Sequence, residues 1–479
     1  MTFDIAPALA ALDLHVPVPG EYPEDDYMSD LTEMSEDENV GISSEDRGKS
    51  PEDNNNLEEG EIPNTSEGGA TRNTKQQLRS VLAAIYDCNV DEIHIHNVRR
   101  DTAALARLQK RETKSGQLSR SDVDELIPNM VWIHEWGIHL GLLSEKGQNK
   151  PTLVFAVKIS AWETMQQATS TEIQKTLQVV MDYGDHMNQV TNNAAANYPP
   201  STADPNQHGI RDRNRKPSTK KDSSVKKPLG KMYAVGWHAS FETNKTLVSY
   251  APNANTEESL AAFRDLNTEL PKVAALYRHG LACLFPGGAA RSQEVADKDG
   301  IISFSDALDG DSSERPFMNA LTVTKEQFSN YQHSDKDHYP VAYGYWWEAV
   351  QVDGRWIFRS NVDHNKTRGG EFIWGAYGVG VDFMRARGLV EIFWRGLLDF
   401  HGTLKSIDDA GFTRFGTSIQ ITARGVNAMR KVWNVEQLAN AAHNVHNLAP
   451  KSAARITTPQ DRIDTIQDRL ATKKRKTVA

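Results

Sequence analysis

Leu78, Val81, Leu82 and Ile85 recur at the spacing of one helical face, and Leu105 with Leu108 marks a second helix. Leu153 to Val157 is a short apolar run of β type. Thr171 and Gln174 have the form of a capping box, with Ile173, Leu177, Val180 and Met181 following on one face. Met232 to Trp237 and Thr246 to Tyr250 read as strands, and 256–278 as a helix that Pro271 breaks. Beyond that the runs shorten. Val341 to Val350, Trp356 to Arg359, Glu371 to Trp374, Leu389 to Trp394 and Phe415 to Thr422 are β-rich and separated by Gly and Asp. Several short strands with turn signals between them predict a sandwich or barrel. A helix over Val426 to Trp433 and polar helical sequence to about Leu448 close the folded part.

The 479 residues suffice for one large or two ordinary domains. A mean hydropathy of −0.57 is low for a fully folded chain. The shortfall is concentrated at the start. Glu21 to Glu61 holds 16 acidic residues against 2 basic ones, too few apolar groups to offset the entropy of ordering. Residues 1–74 are therefore expected to be a disordered acidic arm. A helical and mixed part, 75–190, should pack on the core. Residues 191–230 form a basic linker, in which Arg211 to Lys231 carries 9 Lys and Arg against 2 Asp. The barrel should occupy 231–448, and 449–479 a basic tail. The net charge of −10 is thus divided between −14 over Glu21 to Glu61 and +4 over the rest of the chain, an asymmetry that hints at a polyanionic partner; solvated polar segments are the bland alternative. No stretch approaches the roughly 18 to 20 apolar residues of a membrane helix. The N-terminus has no basic region of a secretory signal. Cys88 and Cys283 alone make neither a disulfide framework nor a Cys-rich zinc site. Lys473 to Lys476 has the composition of a nuclear localisation signal.

The chemistry centres on His333-Ser334-Asp335. A non-haem iron(II) oxygenase needs two imidazoles and one carboxylate on one side of the metal, which leaves positions open for 2-oxoglutarate and O₂. On an extended segment the first and third side chains point the same way. His401 follows the apolar strand Leu389 to Trp394 and supplies a second imidazole. Arg414, thirteen positions further on, offers a guanidinium fork to a carboxylate. Ser418 shares the side of Arg414 by strand alternation.

From about Phe317 to Thr422 the chain resembles the TET/JBP oxygenases, in particular their fungal relatives. The resemblance is carried by PFMNALTV leading into His333-Ser334-Asp335-Lys336-Asp337, then Gly369-Gly370-Glu371-Phe372, DFHGT, and Thr413-Arg414-Phe415. It implies an α+β fold around a double-stranded β-helix (jelly-roll, cupin-like) with flanking helices. It also implies Fe(II), 2-oxoglutarate and O₂, and oxidation of a methyl group on a base in DNA, 5-methylcytosine or N6-methyladenine. Matched motif to motif, His333, Asp335 and His401 become the iron ligands and Arg414 the 2-oxoglutarate anchor, with Asp337 and His338 next to the substrate base. The family's serine two positions after the arginine is Gly416 here, so the hydroxyl either comes from Ser418 or is missing. Asp363 to Arg368 reads as an insertion.

Other constellations were weighed against the same chemistry. His134-Glu135-Trp136-Gly137-Ile138-His139 sets its histidines five positions apart, which on a helix turns them about 140° from each other, too far to share a zinc. His94 and His96 alternate as on a strand but show no third ligand. His338 and His364 compete for the metal role by proximity alone. Tyr343, Tyr345, Trp346, Trp347 and Trp356 suit base stacking, or a packed core. Three function classes follow: an oxygenase acting on a methylated base, an oxygenase acting on a protein side chain or small molecule, and a non-catalytic, transposon-associated binding module.

Overall fold

The computed structural model describes residues 68–145, 151–190, 230–240, 242, 244–308, 315–432 and 455–478. The N-terminal part runs α1 (Gly68–Tyr86), β1 (Ile93–Val98), α2 (Thr102–Ser115), α3 (Arg120–Leu126), β2 (Val131–Ile133), β3 (Gly137–Leu143), β4 (Thr152–Ser160) and α4 (Gln167–Asp185). Next come β5 (Lys231–Ala239), β6 (Leu247–Ser249), α5 (Glu257–Leu284), α6 (Pro286–Asp299), β7 (Ala320–Lys325), β8 (Val341–Val352) and β9 (Arg355–Phe358). β10 (Thr367–Gly369), β11 (Phe372–Trp374), β12 (Val379–Val381), α7 (Phe383–Ala386) and β13 (Leu389–Arg395) follow. The chain closes with β14 (Gly402–Thr403), β15 (Ser406–Asp408), β16 (Phe412–Gln420), α8 (Ala423–Val432), β17 (Ile456–Thr457) and α9 (Pro459–Val478).

One large sheet has the order β1-β3-β4-β13-β8-β16-β7-β5-β6-β17, with β9 attached to β8. A four-stranded sheet, β14-β11-β12-β2, covers part of one face. Between them lie Phe155, Trp346, Ile392 and Trp394 from the large sheet and Phe372, Trp374, Val379 and Val381 from the small one. The other face of the large sheet is covered by α4, α5 and α6. There Tyr343, Tyr345 and Trp347 pack with Tyr277 and Leu281 of α5 and Met181 of α4. β8 is buried on both faces, which explains why Val341 to Ala349 reads as one apolar run rather than an alternation. Two facing sheets with helices behind the larger one are the expected α+β, double-stranded β-helix core.

Several boundaries differ from the sequence reading. The expected arm, 1–74, lies outside the described residues as far as 67, yet α1 already begins at Gly68. The linker lies outside them too, except Gly230. Thr171 caps nothing: α4 begins at Gln167, and the Gln174 amide donates to Ser170 instead. Pro271 does not break α5. Its missing N–H costs about 3 kcal/mol, but Leu270, Val273, Ala274 and Tyr277 around it are all buried and hold both halves in line. The tail is also structured. Ile456 and Thr457 pair with Leu247 and Val248, and α9 docks on α5, with Arg264 bound to Gln467 and Arg469 to the Ala254 carbonyl. β1, β3 and β4 belong to the large sheet itself, so the part before residue 190 is continuous with the barrel. No helix among the described residues is long and apolar enough to cross a membrane.

Candidate metal centre

His333 lies on the extended segment after β7, and His401 between β13 and β14. The two segments pair as antiparallel strands do. His333 N–H donates to the His401 carbonyl at 2.9 Å and His401 N–H returns the bond at 2.9 Å. Asp335 N–H donates to the Gly396 carbonyl at 2.8 Å. This lacing carries the three side chains to one point. His333 Nε2 is 3.4 Å from Asp335 Oδ1, and His401 Nε2 is 3.4 Å from Asp335 Oδ2. One donor atom from each residue lies within 4.8 Å of the others, and among the described residues no other group of three does so.

Each imidazole is oriented by a carbonyl two residues upstream. His333 Nδ1 contacts the Tyr331 carbonyl at 2.7 Å and His401 Nδ1 the Asp399 carbonyl at 3.0 Å. An Nδ1–H donated there leaves both Nε2 lone pairs facing the carboxylate. Burial and the neighbouring His333 hold His401 neutral, with its pKa down to about 4. Burial opposes ionisation of Asp335, but the two imidazoles outweigh it and lower its pKa to about 2. Neutral His401 and ionised Asp335 are in the states a cation requires. Burial opposes a proton on His333, but the hydrogen bond and charge of Asp335 outweigh it and raise its pKa, so a bound cation would displace that proton. The donor set, two nitrogens and one oxygen on one side, fits Fe(II) with open positions. Gly396 makes room for it: a Cβ there would lie 2.5 Å from Asp335 Oδ2. Phe372 stacks on His401 at 5.5 Å between centroids and Trp394 approaches it at 5.8 Å, which gives the site an apolar wall.

Arg414 points into the barrel. The aromatic contacts run from Phe372 to Trp346, to Phe383, and to the Arg414 guanidinium 4.9 Å from the Phe383 ring. Its Nε donates to Glu348 at 2.8 Å, Nη1 to the Gly369 carbonyl at 2.7 Å and Nη2 to the Thr367 carbonyl at 3.0 Å. Three of the five guanidinium N–H groups are thereby used, and two remain for a carboxylate. The expected insertion, Asp363 to Arg368, supplies one of those carbonyls through β10. Around the guanidinium, Glu371 Oε2 and His364 Nδ1 are buried without a hydrogen-bond partner. Burial, followed by the Arg414 charge, lowers the His364 pKa to about 4. Buried polar atoms left open beside a cation fit a polar ligand such as the far end of 2-oxoglutarate. Ser418 is half-buried and pairs with Thr322 across the ladder.

The remaining candidates separate clearly. Asp337 is buried, and burial, reinforced by Asp335, raises its pKa well above the carboxylate range. It accepts from Gln420 Nε2 at 3.0 Å. His338 is held 2.6 Å from Asp299 at the end of α6. Tyr343, Tyr345, Trp346, Trp347 and Trp356 are all buried, as the core reading requires. His134 and His139 are not on a helix at all; His139 is on β3. There it lies between the rings of His94, at 4.3 Å, and His96, at 5.4 Å. Stacked rings of this kind are a packing column and bring no three donor atoms together. Sequence reasoning missed Glu348, Gly396 and the open nitrogen of His364. A lone carboxylate inside the apolar run Tyr343 to Val350 was the available signal for the first, since a buried charge needs a partner.

Residues 207–406 match the family model of the Tet-like 2OG-Fe(II) oxygenase superfamily. The chain carries a Tet-like 2OG-Fe(II) oxygenase domain. It is an Fe(II)- and 2-oxoglutarate-dependent dioxygenase, with O₂ as the second cosubstrate of that family. His333, Asp335 and His401 lie inside the matched segment of the oxygenase; Arg414 and Ser418 follow it. A solved structure of NgTET1 in complex with 5mC DNA aligns with 68% of this chain and 92% of its own, at 9% identity and a TM-score of 0.32. No curated protein matches the oxygenase.

Proposed function

We propose that this oxygenase oxidises a methyl group on a base in DNA, 5-methylcytosine or N6-methyladenine, with His333, Asp335 and His401 as its iron ligands. The observation that carries the reading is the convergence of those three side chains within 4.8 Å inside a barrel of the Tet-like family. The positive balance of the chain outside its acidic arm supports a polyanionic substrate.

Bound iron and 2-oxoglutarate would supply the oxidising power for a C–H bond. The chain supplies the geometry. Tyr331 and Asp399 fix both imidazole tautomers through their carbonyls. Phe372 and Trp394 keep water from the metal side of the pocket. Arg414, with His364 beside it, holds the far carboxylate of 2-oxoglutarate. A base in a duplex must leave the stack to reach this buried point. Asp337, steadied by Gln420, stands on the segment next to the ligands and takes the place beside that base. His338 is turned to Asp299 and is left out of it.

The test is succinate release by iron-loaded protein with methylated and unmethylated DNA, over a range of salt. Stimulation by methylated DNA that falls steeply with salt supports the reading. Succinate release indifferent to DNA would overturn the substrate and leave an oxygenase of side chains or metabolites. No succinate from iron-loaded protein would favour a binding module.

A further inference from the structure

Helix α2, Thr102–Ser115, precedes the family-matched segment by far, yet it reaches the iron side of the barrel. Its apolar face, Ala104 and Leu108, packs with Ile373 of the small sheet and with Leu404 just past β14. One turn beyond Leu108 stands Glu112, a carboxylate only 4% exposed. Both its oxygens receive the backbone N–H of Gln332, at 3.0 and 3.3 Å. Gln332 is the residue before His333. Its side chain fills the space over two glycines: a Cβ on Gly402, next to His401, would lie 2.3 Å from its Nε2, and one on Gly375 2.7 Å from its Oε1. Its Oε1 also accepts from Gly375 N–H at 3.1 Å. Gln332 is thus wedged between the two histidine-bearing segments, and Glu112 fixes it from behind. Burial pushes the pKa of the Glu112 carboxyl up to about 7, against the Gln332 N–H bond and the nearby His333, which favour its ionised form.

Given the iron-ligand reading of His333, Asp335 and His401, on which this rests, we infer that Glu112 of helix α2 is a positioning residue of the metal centre. It sets the seat of His333 through Gln332 and, when ionised, adds a negative charge near that imidazole. Losing an outer group that holds a ligand in place typically costs about 10- to 100-fold in metal affinity. Helix α2 is then part of the centre, although it lies outside the matched segment.

The experiment is a Co(II) titration at pH 8, where the Glu112 carboxyl is ionised, followed by the visible spectrum of the metal, with the metal-free melting temperature measured in parallel. The proteins are wild type, Glu112→Gln, Glu112→Asp and Glu112→Ala. Gln keeps the shape and an acceptor for Gln332; Asp keeps the charge. The expected result is a loss of roughly 10-fold in Co(II) affinity for Gln, with a shifted spectrum and a near-normal melting temperature, and a smaller loss for Asp. Wild-type affinity and spectrum in Glu112→Gln, with losses in Asp and Ala that follow the melting temperature, would overturn the inference and leave a packing role. His401→Ala is the separate control. If it binds Co(II) as wild type does, the ligand assignment itself fails, whatever Glu112 does.

Discussion

Arg414 and Glu348 stand opposite each other on β16 and β8, joined Nε to Oε1 at 2.8 Å, with both side chains under a tenth exposed. A buried pair of this kind contributes little net stability, but removing one partner strands the other, at about 3–5 kcal/mol. Arg414→Ala is therefore expected to lower the melting temperature and to raise the 2-oxoglutarate concentration needed for half-maximal turnover. Glu348→Gln separates the two effects. It keeps the shape and frees the guanidinium charge for the cosubstrate, so tighter 2-oxoglutarate binding is expected, measured by calorimetry with a redox-inert metal in place. Weaker binding would mean that Glu348 itself orients the anchor.

Gly396 leaves no room for a side chain, because a Cβ would come within 2.5 Å of the Asp335 carboxylate. Its φ is not among the positive ones, so alanine is not excluded by the backbone. Gly396→Ala is expected to fold with a near-normal melting temperature and to lose metal affinity at least about 10-fold through the displaced carboxylate. Unchanged metal affinity would show that Asp335 has another place to go.

His139 gives the fold an acid limit. Burial, aided by the His94 and His96 rings on either side, brings its pKa down to about 3, against an ordinary value near 6.5. The unfolded chain takes up this proton first as the pH falls. The stability linked to His139 is thus complete above pH 6.5 and is lost between about 6.5 and 3, by at most about 1.4 kcal/mol per pH unit. Denaturant unfolding of wild type and His139→Gln at pH 7 and pH 5 checks the sign. The wild type is expected to lose more stability on acidification than the variant. Equal losses would place the acid sensitivity elsewhere.

The convergence of His333, Asp335 and His401 was legible in the sequence because it is written in short motifs: an H-x-D on an extended segment and a histidine just past an apolar strand. The strands of the barrel were legible for a similar reason, as runs bounded by turn residues. What was hidden depends on register and distance. Glu348 meets Arg414 only because β16 pairs with β8 in one alignment, 66 residues apart in sequence. Glu112 meets Gln332 across 220 residues. Gly396 reads as an ordinary turn glycine until Asp335 is placed against it. Pro271 misled because a local rule was overridden by packing along the whole of α5. The C-terminal residues looked like a polar tail because α9 buries only a narrow stripe, Ile463 and Ile466 with Leu470 packed alongside.

The central claim is that His333, Asp335 and His401 hold the iron of a working oxygenase. It is tested most directly by succinate release from 2-oxoglutarate in protein reconstituted with Fe(II) under air, comparing wild type with His401→Ala at equal folded concentration. The account expects succinate from the wild type and a loss to background in the variant. Equal succinate from both, with both proteins folded, would contradict it.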